Sequence, residues 1–208
     1  MSDAEPGIVE ESWTESGRRR EHVLGAALRT FARYGYRKTS MEDVAAAADI
    51  SRPGLYFLFT SKQNLFRAAV THALDGDIEA AQRCLADDER PLRDRLIEAL
   101  DLWTGRYIGP LAKEVALLIE ANPELLGSVV TDYPERFLAM VTKAVAAELS
   151  SGSGSLAQDL ARTLLSTAGG IKHEVTTRDE FVARMTVGVD LLMPALDHGA
   201  RRTASRRA

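Results

Sequence analysis

Between Thr39 and Ser61 the chain carries three helix-start signatures in quick succession, which leaves room only for short helices. Thr39 with Glu42, or Ser40 with Asp43, has the spacing of a capping box, in which a hydroxyl and an acid satisfy free backbone N–H groups reciprocally. Val44, Ala45 and Ala48 form the apolar edge of the helix that follows. Asp49 can then adopt the left-handed conformation of a tight turn. Ser51 is a fresh N-cap, and Pro53 falls in a first turn, where its missing N–H costs little. The helix from Arg52 to about Phe57 is hardly two turns long. Thr60 or Ser61 starts the next, which sends Leu65, Phe66, Ala69, Val70 and Ala73 inward. Upstream, Val23, Leu24, Ala27, Leu28, Phe31 and Ala32 recur on one face, predicting a helix from about Arg18 to Gly35. These are the proportions of a helix-turn-helix.

Charge is segregated along the chain although the net value is only −4. Residues 1–17 hold five acids and no Lys or Arg; residues 18–74 hold ten Lys/Arg against four acids; residues 75–200 hold twelve against twenty-one; residues 201–208 hold four arginines and no acid. A basic block beside a larger acidic one suggests a polyanion-binding module joined to something else, with uneven solvated charge as the plain alternative. The two ends, 1–17 and 201–208, are expected to be disordered.

The remainder predicts further helices near 75–87, 91–107, 110–121, 132–150, 155–173 and 178–198, with Asp132 and Glu135 as another cap pair and Ser150–Ser155 as a flexible connector. Hardly any segment alternates like a strand, so the expected fold class is all-α: an N-terminal helix-turn-helix domain over 18–74 and a larger helical domain over 75–200. Leu156, Leu160, Leu164, Ala168, Ile171 and Val175 make one long stripe, and Phe181, Met185, Val189, Leu192 and Leu196 another. Gly169, Gly170 and Gly188 lie inside them, at a cost of roughly 1 kcal/mol each relative to alanine that close approach of another backbone could offset. Such a hairpin can complete a four-helix bundle with a second copy, or simply be buried within one chain.

No apolar run reaches the roughly 18 residues of a membrane span, and the acidic start lacks the features of a secretory signal. The single cysteine, Cys84, allows no internal disulfide or multi-cysteine zinc site and fits a reducing compartment; a cytoplasmic location is expected. His22, His72, His173 and His198 are scattered, and neither a metal-binding His-Glu-x-x-His nor a Gly-x-Ser-x-Gly elbow occurs. We therefore expect no catalytic residues, no metal and no cofactor. A helical ligand carrier or adaptor without nucleic-acid binding is the rival reading.

The run from Thr39 to Phe66, with Phe31-Ala32-Arg33-Tyr34-Gly35-Tyr36 before it, resembles the DNA-binding domain of the tetracycline-repressor (TetR-like) family of bacterial transcription regulators. It departs from the family pattern at Asp49, where a glycine is usual, and at Leu58, where a histidine is usual. The resemblance implies a ligand-responsive regulator, a repressor rather than an activator, that binds a palindromic operator in double-stranded DNA as a homodimer and is released by a small lipophilic effector.

Under that resemblance Thr39 and Ser40 begin the helix before the recognition helix and suit a phosphate oxygen, with Arg37 and Lys38 as phosphate neighbours. Met41 reaches a base or sugar. Arg52 is the leading base reader, since arginine can bind guanine O6 and N7 together. Pro53 touches a thymine methyl, Gly54 lets the backbone approach the groove, Tyr56 contacts phosphate and Lys62 reaches the backbone as a point charge. Phe57 offers apolar contact only, while Leu55, Phe59, Val44, Ala45 and Ile50 belong to the core. The helix from about Ser61 to Leu74 links to the ligand domain, whose expected pocket residues are Leu100, Trp103, Tyr107, Leu117, Leu118, Phe137 and Met140. The expected dimer interface is Leu160, Leu164, Ala168, Ile171, Met185, Val189 and Leu192.

Overall fold

The computed structural model describes residues 7–149 and 154–204, with the side chains of 7–16, 110–113 and 195–204 left aside. Those residues form ten α-helices and one 3₁₀ turn, with no strand among them. In order they are α1 (Gly7–Tyr34), α2 (Met41–Ala47), α3 (Arg52–Leu58), α4 (Lys62–Leu85), α5 (Leu92–Trp103), the 3₁₀ turn Gly105–Tyr107, α6 (Pro110–Glu120), α7 (Pro123–Leu126), α8 (Val129–Glu148), α9 (Gly154–Glu174) and α10 (Arg178–Ala204). The all-α expectation holds.

Several boundaries move, each for a local reason. The first helix begins at Gly7 rather than near Arg18, so residues 7–17 of the acidic stretch are helical. No proline follows Pro6 until Pro53, and acids near a helix N-terminus complement its dipole. Residues 201–204 likewise continue α10, while 1–6, 150–153 and 205–208 lie outside the described residues. The separate helices expected on either side of residue 74 are one uninterrupted α4, because Gly76 alone does not stop a helix already propagating. Helix α8 starts at Val129 and takes Pro134 inside its second turn, so Asp132 and Glu135 do not cap it.

Two compact units result. One comprises the residues up to Ala73 with Glu114–Gly127; the other comprises Leu74–Lys113 and the residues from Ser128 onward. In the first, Phe31 and Phe66 meet edge-to-face with centroids 5.3 Å apart, and Tyr36 closes the cluster at 5.7 and 5.0 Å. Val23, Ala27, Val44, Leu55, Phe59, Leu65 and Val70 are buried around them. Gly35 ends α1 with φ +80°, and Asp49 turns between α2 and α3 with φ +52°, as the cap pattern requires. Arg67, on α4, donates from Nε to the Leu125 carbonyl at 3.2 Å and so ties 114–127 to this unit.

In the second unit α8 packs on α9, and α10 packs on both α5 and α9. Phe137, Phe181, Leu96, Leu100 and Met185 are fully buried, and Trp103 stacks on Phe137 at 4.8 Å. Buried Asp77 accepts from the Arg106 guanidinium and the Tyr107 hydroxyl, and Arg178 grips Asp101 through Nε and Nη2 at 2.8 and 2.6 Å. The predicted dimer stripe is the inner face of this unit: Leu160, Leu164, Ala168, Ile171, Met185 and Val189 are buried within the single chain and Leu192 is half-buried. A Cβ added to Gly169 or Gly170 would meet nothing within 4 Å, so neither glycine admits another backbone of this chain.

Candidate nucleic-acid interface and ligand groove

Local chemistry positions α3. The Gly54 N–H donates to Ser51 Oγ at 3.1 Å and Pro53 occupies the first turn, so the helix starts sharply at Arg52. A Cβ at position 54 would sit 3.1 Å from that same Oγ, so Gly54 also protects the cap. Leu55 is the residue α3 buries; Arg52, Pro53, Tyr56 and Phe57 face outward, with Phe57 91% exposed. A phenylalanine so exposed is costly to leave in water and has no packing role.

Arg52 pairs with Glu42 of α2 at 2.7 Å and lies 5.6 Å from the Tyr56 ring centroid. The Tyr56 hydroxyl first, and the Glu42 carboxylate second, push its pKa up. The two side chains are 60% and 50% exposed, so the pair is weak and screened by solvent. The guanidinium is therefore charged, exposed and held lightly. Glu42 was legible only as half of a cap.

The phosphate candidates divide. Arg37 and Lys38 are exposed before α2. The capping box is that of Ser40 and Asp43: the Asp43 N–H donates to Ser40 Oγ at 3.1 Å and the Ser40 N–H donates to Asp43 Oδ2 at 2.8 Å. Those bonds, the Ser40 N–H foremost, hold the Asp43 carboxyl below its usual range. Ser40 Oγ also donates its proton to Asp43 Oδ2 at 2.7 Å, so only its second lone pair stays open to other partners.

Three expectations need correction. Thr39 is buried and its hydroxyl donates to the Gly35 carbonyl at 2.9 Å, because the cap duty fell to Ser40. Met41 is buried and reaches no surface; the first position of α2 points into the small core. Lys62 is neither a bare point charge nor solvated: Nζ donates to the Tyr36 and Thr39 carbonyls, both at 3.0 Å, and sits 4.4 Å over the Tyr36 ring. It clasps the α1–α2 loop to the start of α4, which is a positioning role with one proton to spare.

A basic groove of about 570 Å³ accompanies this surface. Arg29, Thr30, Arg33 and Tyr34 of α1, Lys38, and Asp43, Ala46 and Ala47 of α2 line it. Arg29 and Arg33 stand four residues apart, a spacing that places both on one helix side and was visible in the sequence.

Residues 23–69 match the sequence profile of bacterial regulatory proteins of the tetR family. Over that segment the chain is similar to the TetR family. Over 139 residues it is 28% identical to the probable acrEF/envCD operon repressor of Escherichia coli K12, covering 59% of this chain and 58% of that protein. It is 26% identical over 157 residues to the nicotine-responsive transcriptional repressor HdnoR of Paenarthrobacter nicotinovorans, covering 71% and 78%. A TetR-like transcriptional regulator from Rhodococcus sp. RHA1 shares the fold, with TM-score 0.61 at 22% identity over 85% of this chain and 96% of that one. The chain spans under three fifths of the length of the first of these curated relatives.

The profile match places the TetR-family motif on α1 to α4, the elements whose caps were read above. The expected pocket residues lie outside the matched segment and scatter. Leu100 and Phe137 are sealed in the core, Trp103 stacks on Phe137, and Tyr107 donates to Asp77, with burial first and the Asp77 charge second raising its hydroxyl pKa. Leu117 is 53% exposed and Leu118 buried, and both belong to the first unit. Met140 alone among the seven lines an open groove of about 460 Å³, together with Ile78, Gln82, Leu85 and Ala86 of α4, Arg95 of α5, and Arg136, Ala139, Lys143, Ala144 and Ala147 of α8. Of the expected aromatics Phe137 is core while Trp103 and Tyr107 are half-buried, and the groove is lined by aliphatic and basic residues, those of α8 falling on one helix face. Cys84 is buried, its S–H donates to the Arg95 carbonyl at 3.4 Å, and burial first pushes its pKa up to about 11, so it is an inert thiol. Among the described residues no cluster of His, Cys, Asp and Glu could hold a metal, and no helix is long and apolar enough to cross a membrane.

Proposed function

We propose that this protein is a DNA-binding transcriptional repressor that reads a palindromic operator as a homodimer and releases it on binding a small molecule. The observation that carries the reading is the outward face of α3, where Arg52, Pro53, Tyr56 and Phe57 are exposed on a helix anchored by Leu55 alone. Such a helix N-terminus fits the major groove, with Arg52 on a guanine edge and Phe57 against a thymine methyl or sugar. Arg29, Arg33, Arg37 and Lys38 supply the surrounding phosphate contacts.

The dimer contact assigned here is the outer side of the terminal hairpin. Ala183, Val187 and Leu191 of α10 lie four residues apart and exposed, the last two at 59% and 76%, and Ser166 and Gly170 of α9 are exposed as well. The open space over Gly169 and Gly170 suits the close approach of a second copy. Effector response runs through α4: its later turns supply Ile78, Gln82 and Leu85 to the groove, and its first turn supplies Lys62 to the α1–α2 loop. A bound molecule that prefers one setting of this helix shifts the population toward it.

Genomic fragments captured by the purified chain give the test. The expected result is a palindrome with half-sites about 34–36 Å apart, and binding that weakens steeply with salt. Val187→Asp with Leu191→Asp should yield a folded monomer by sedimentation that no longer holds the palindrome. Absence of any sequence preference, or salt-insensitive binding, would establish the carrier reading instead.

A further inference from the structure

The groove between α4, α5 and α8 is built from opposites. Ile78, Leu85 and Ala144 give it a buried apolar floor, while Arg95, Arg136 and Lys143 stand in its wall, and no acid lines it. Composition does not account for this, since residues 75–200 are the chain's most acidic segment by count. Arg95 is the sharpest feature. Its side chain is only 7% exposed. Nη1 donates to the Leu85 carbonyl at 3.0 Å and Nη2 to Glu148 at 2.9 Å, but Nε has no acceptor, and it stands alone in this among the buried side-chain polar atoms of the described residues. Native proteins rarely leave such a donor unanswered, and a water, an ion or a ligand group is what answers it. Arg136 meets Asp75 only at 3.7 Å with both side chains about half exposed, and Lys143 has no acid partner among the described residues.

We infer that this groove binds an amphipathic monoanion: a carboxylate head among Arg95, Arg136 and Lys143, carrying an apolar chain laid over Ile78, Leu85 and Met140. The inference deepens the effector reading above and rests on it for regulation, not for binding. A carboxylate leaves water only where charge and hydrogen-bond donors replace its hydration, and a planar guanidinium offers both. The volume of about 460 Å³ lies within the range of small-molecule sites. A neutral chain of equal length gains only the floor, and a cationic one meets Lys143 and two guanidiniums only partly offset by Glu148 and Asp75.

The experiment titrates the full chain with decanoate, decanol and decylamine, three probes that share a chain length and differ in head charge, using calorimetry with a thermal melt alongside. Decanoate should bind at one site, decanol more weakly, and decylamine not at all. Arg136→Gln with Lys143→Gln changes exposed positions and should weaken decanoate roughly tenfold while leaving decanol unchanged. Arg95→Lys, checked for folding by circular dichroism, keeps the charge and loses the fork, and should weaken decanoate as well. Equal binding of the three probes, or decanoate binding indifferent to the paired substitution, overturns the site. Operator gel shifts with and without decanoate separate the two claims. Decanoate binding without DNA release upholds the site and removes the effector role. Release by some other small molecule, with no decanoate binding, does the reverse.

Discussion

Helix α3 and the hairpin of α9 and α10 both carry apolar side chains, and they use them in opposite ways. The seven residues of α3 bury Leu55 and present Phe57 at 91% exposure. The 21 and 27 residues of the hairpin helices turn their long stripes inward, leaving shorter apolar rows outside. A short helix needs one anchor, and whatever else it displays answers to another molecule. A long helix must first satisfy its own chain.

The largest effect expected from this contrast is on stability. Phe181→Ala, at a fully buried hairpin position, should cost about 3–5 kcal/mol in denaturant unfolding. Phe57→Ala should stay within about 0.5 kcal/mol of the parent yet reduce operator affinity in a fluorescence-anisotropy titration. A Phe57 variant that unfolds the chain would erase the distinction. Next, Arg52→Ala should remove roughly 1–3 kcal/mol of discrimination at one operator position, measured as the ratio of operator to random-duplex affinity; equal losses on both would take base reading away from Arg52. Lys62→Ala should cost about 1–2 kcal/mol of stability by stranding the Tyr36 and Thr39 carbonyls. A loss of phosphate-type affinity with stability unchanged would restore Lys62 to the DNA surface.

The smallest effect belongs to the cap. Ser40→Ala should cost about 1 kcal/mol at neutral pH. Because the folded state holds the Asp43 pKa below its unfolded value, the contribution is present above the unfolded pKa and disappears as pH falls through the folded one. Parent and variant should therefore converge in acid unfolding below the ordinary Asp range of about 3.9. A gap that persists there would mean the cap acts without the Asp43 charge.

How much the sequence disclosed follows the range of the forces involved. Ser51, Asp49, Gly35 and the Ser40–Asp43 box act over three or four residues, so the start of each short helix was readable. Which of Thr39 and Ser40 capped α2 was not, since both spacings were present and the choice depended on Gly35 accepting the Thr39 hydroxyl. Met41 and Lys62 were misjudged because their partners lie across the fold, 23 and 26 residues away for Lys62. The hairpin stripe has the same period whether it faces a neighbour or its own core, and only α5 and α8 packed against it decide. Arg136 and Lys143 stand two turns apart on one face of α8, but no local signal joins them to Arg95 on α5, so the groove was not legible as a unit.

The Glu42–Arg52 pair has a consequence for how errors are rejected. If Arg52 reads guanine as proposed, a duplex lacking that base meets a guanidinium already paired with Glu42 rather than a bare cation. So weak and exposed a pair would trim idle adhesion only slightly, while a guanine edge with two acceptors would take the carboxylate's place at little loss.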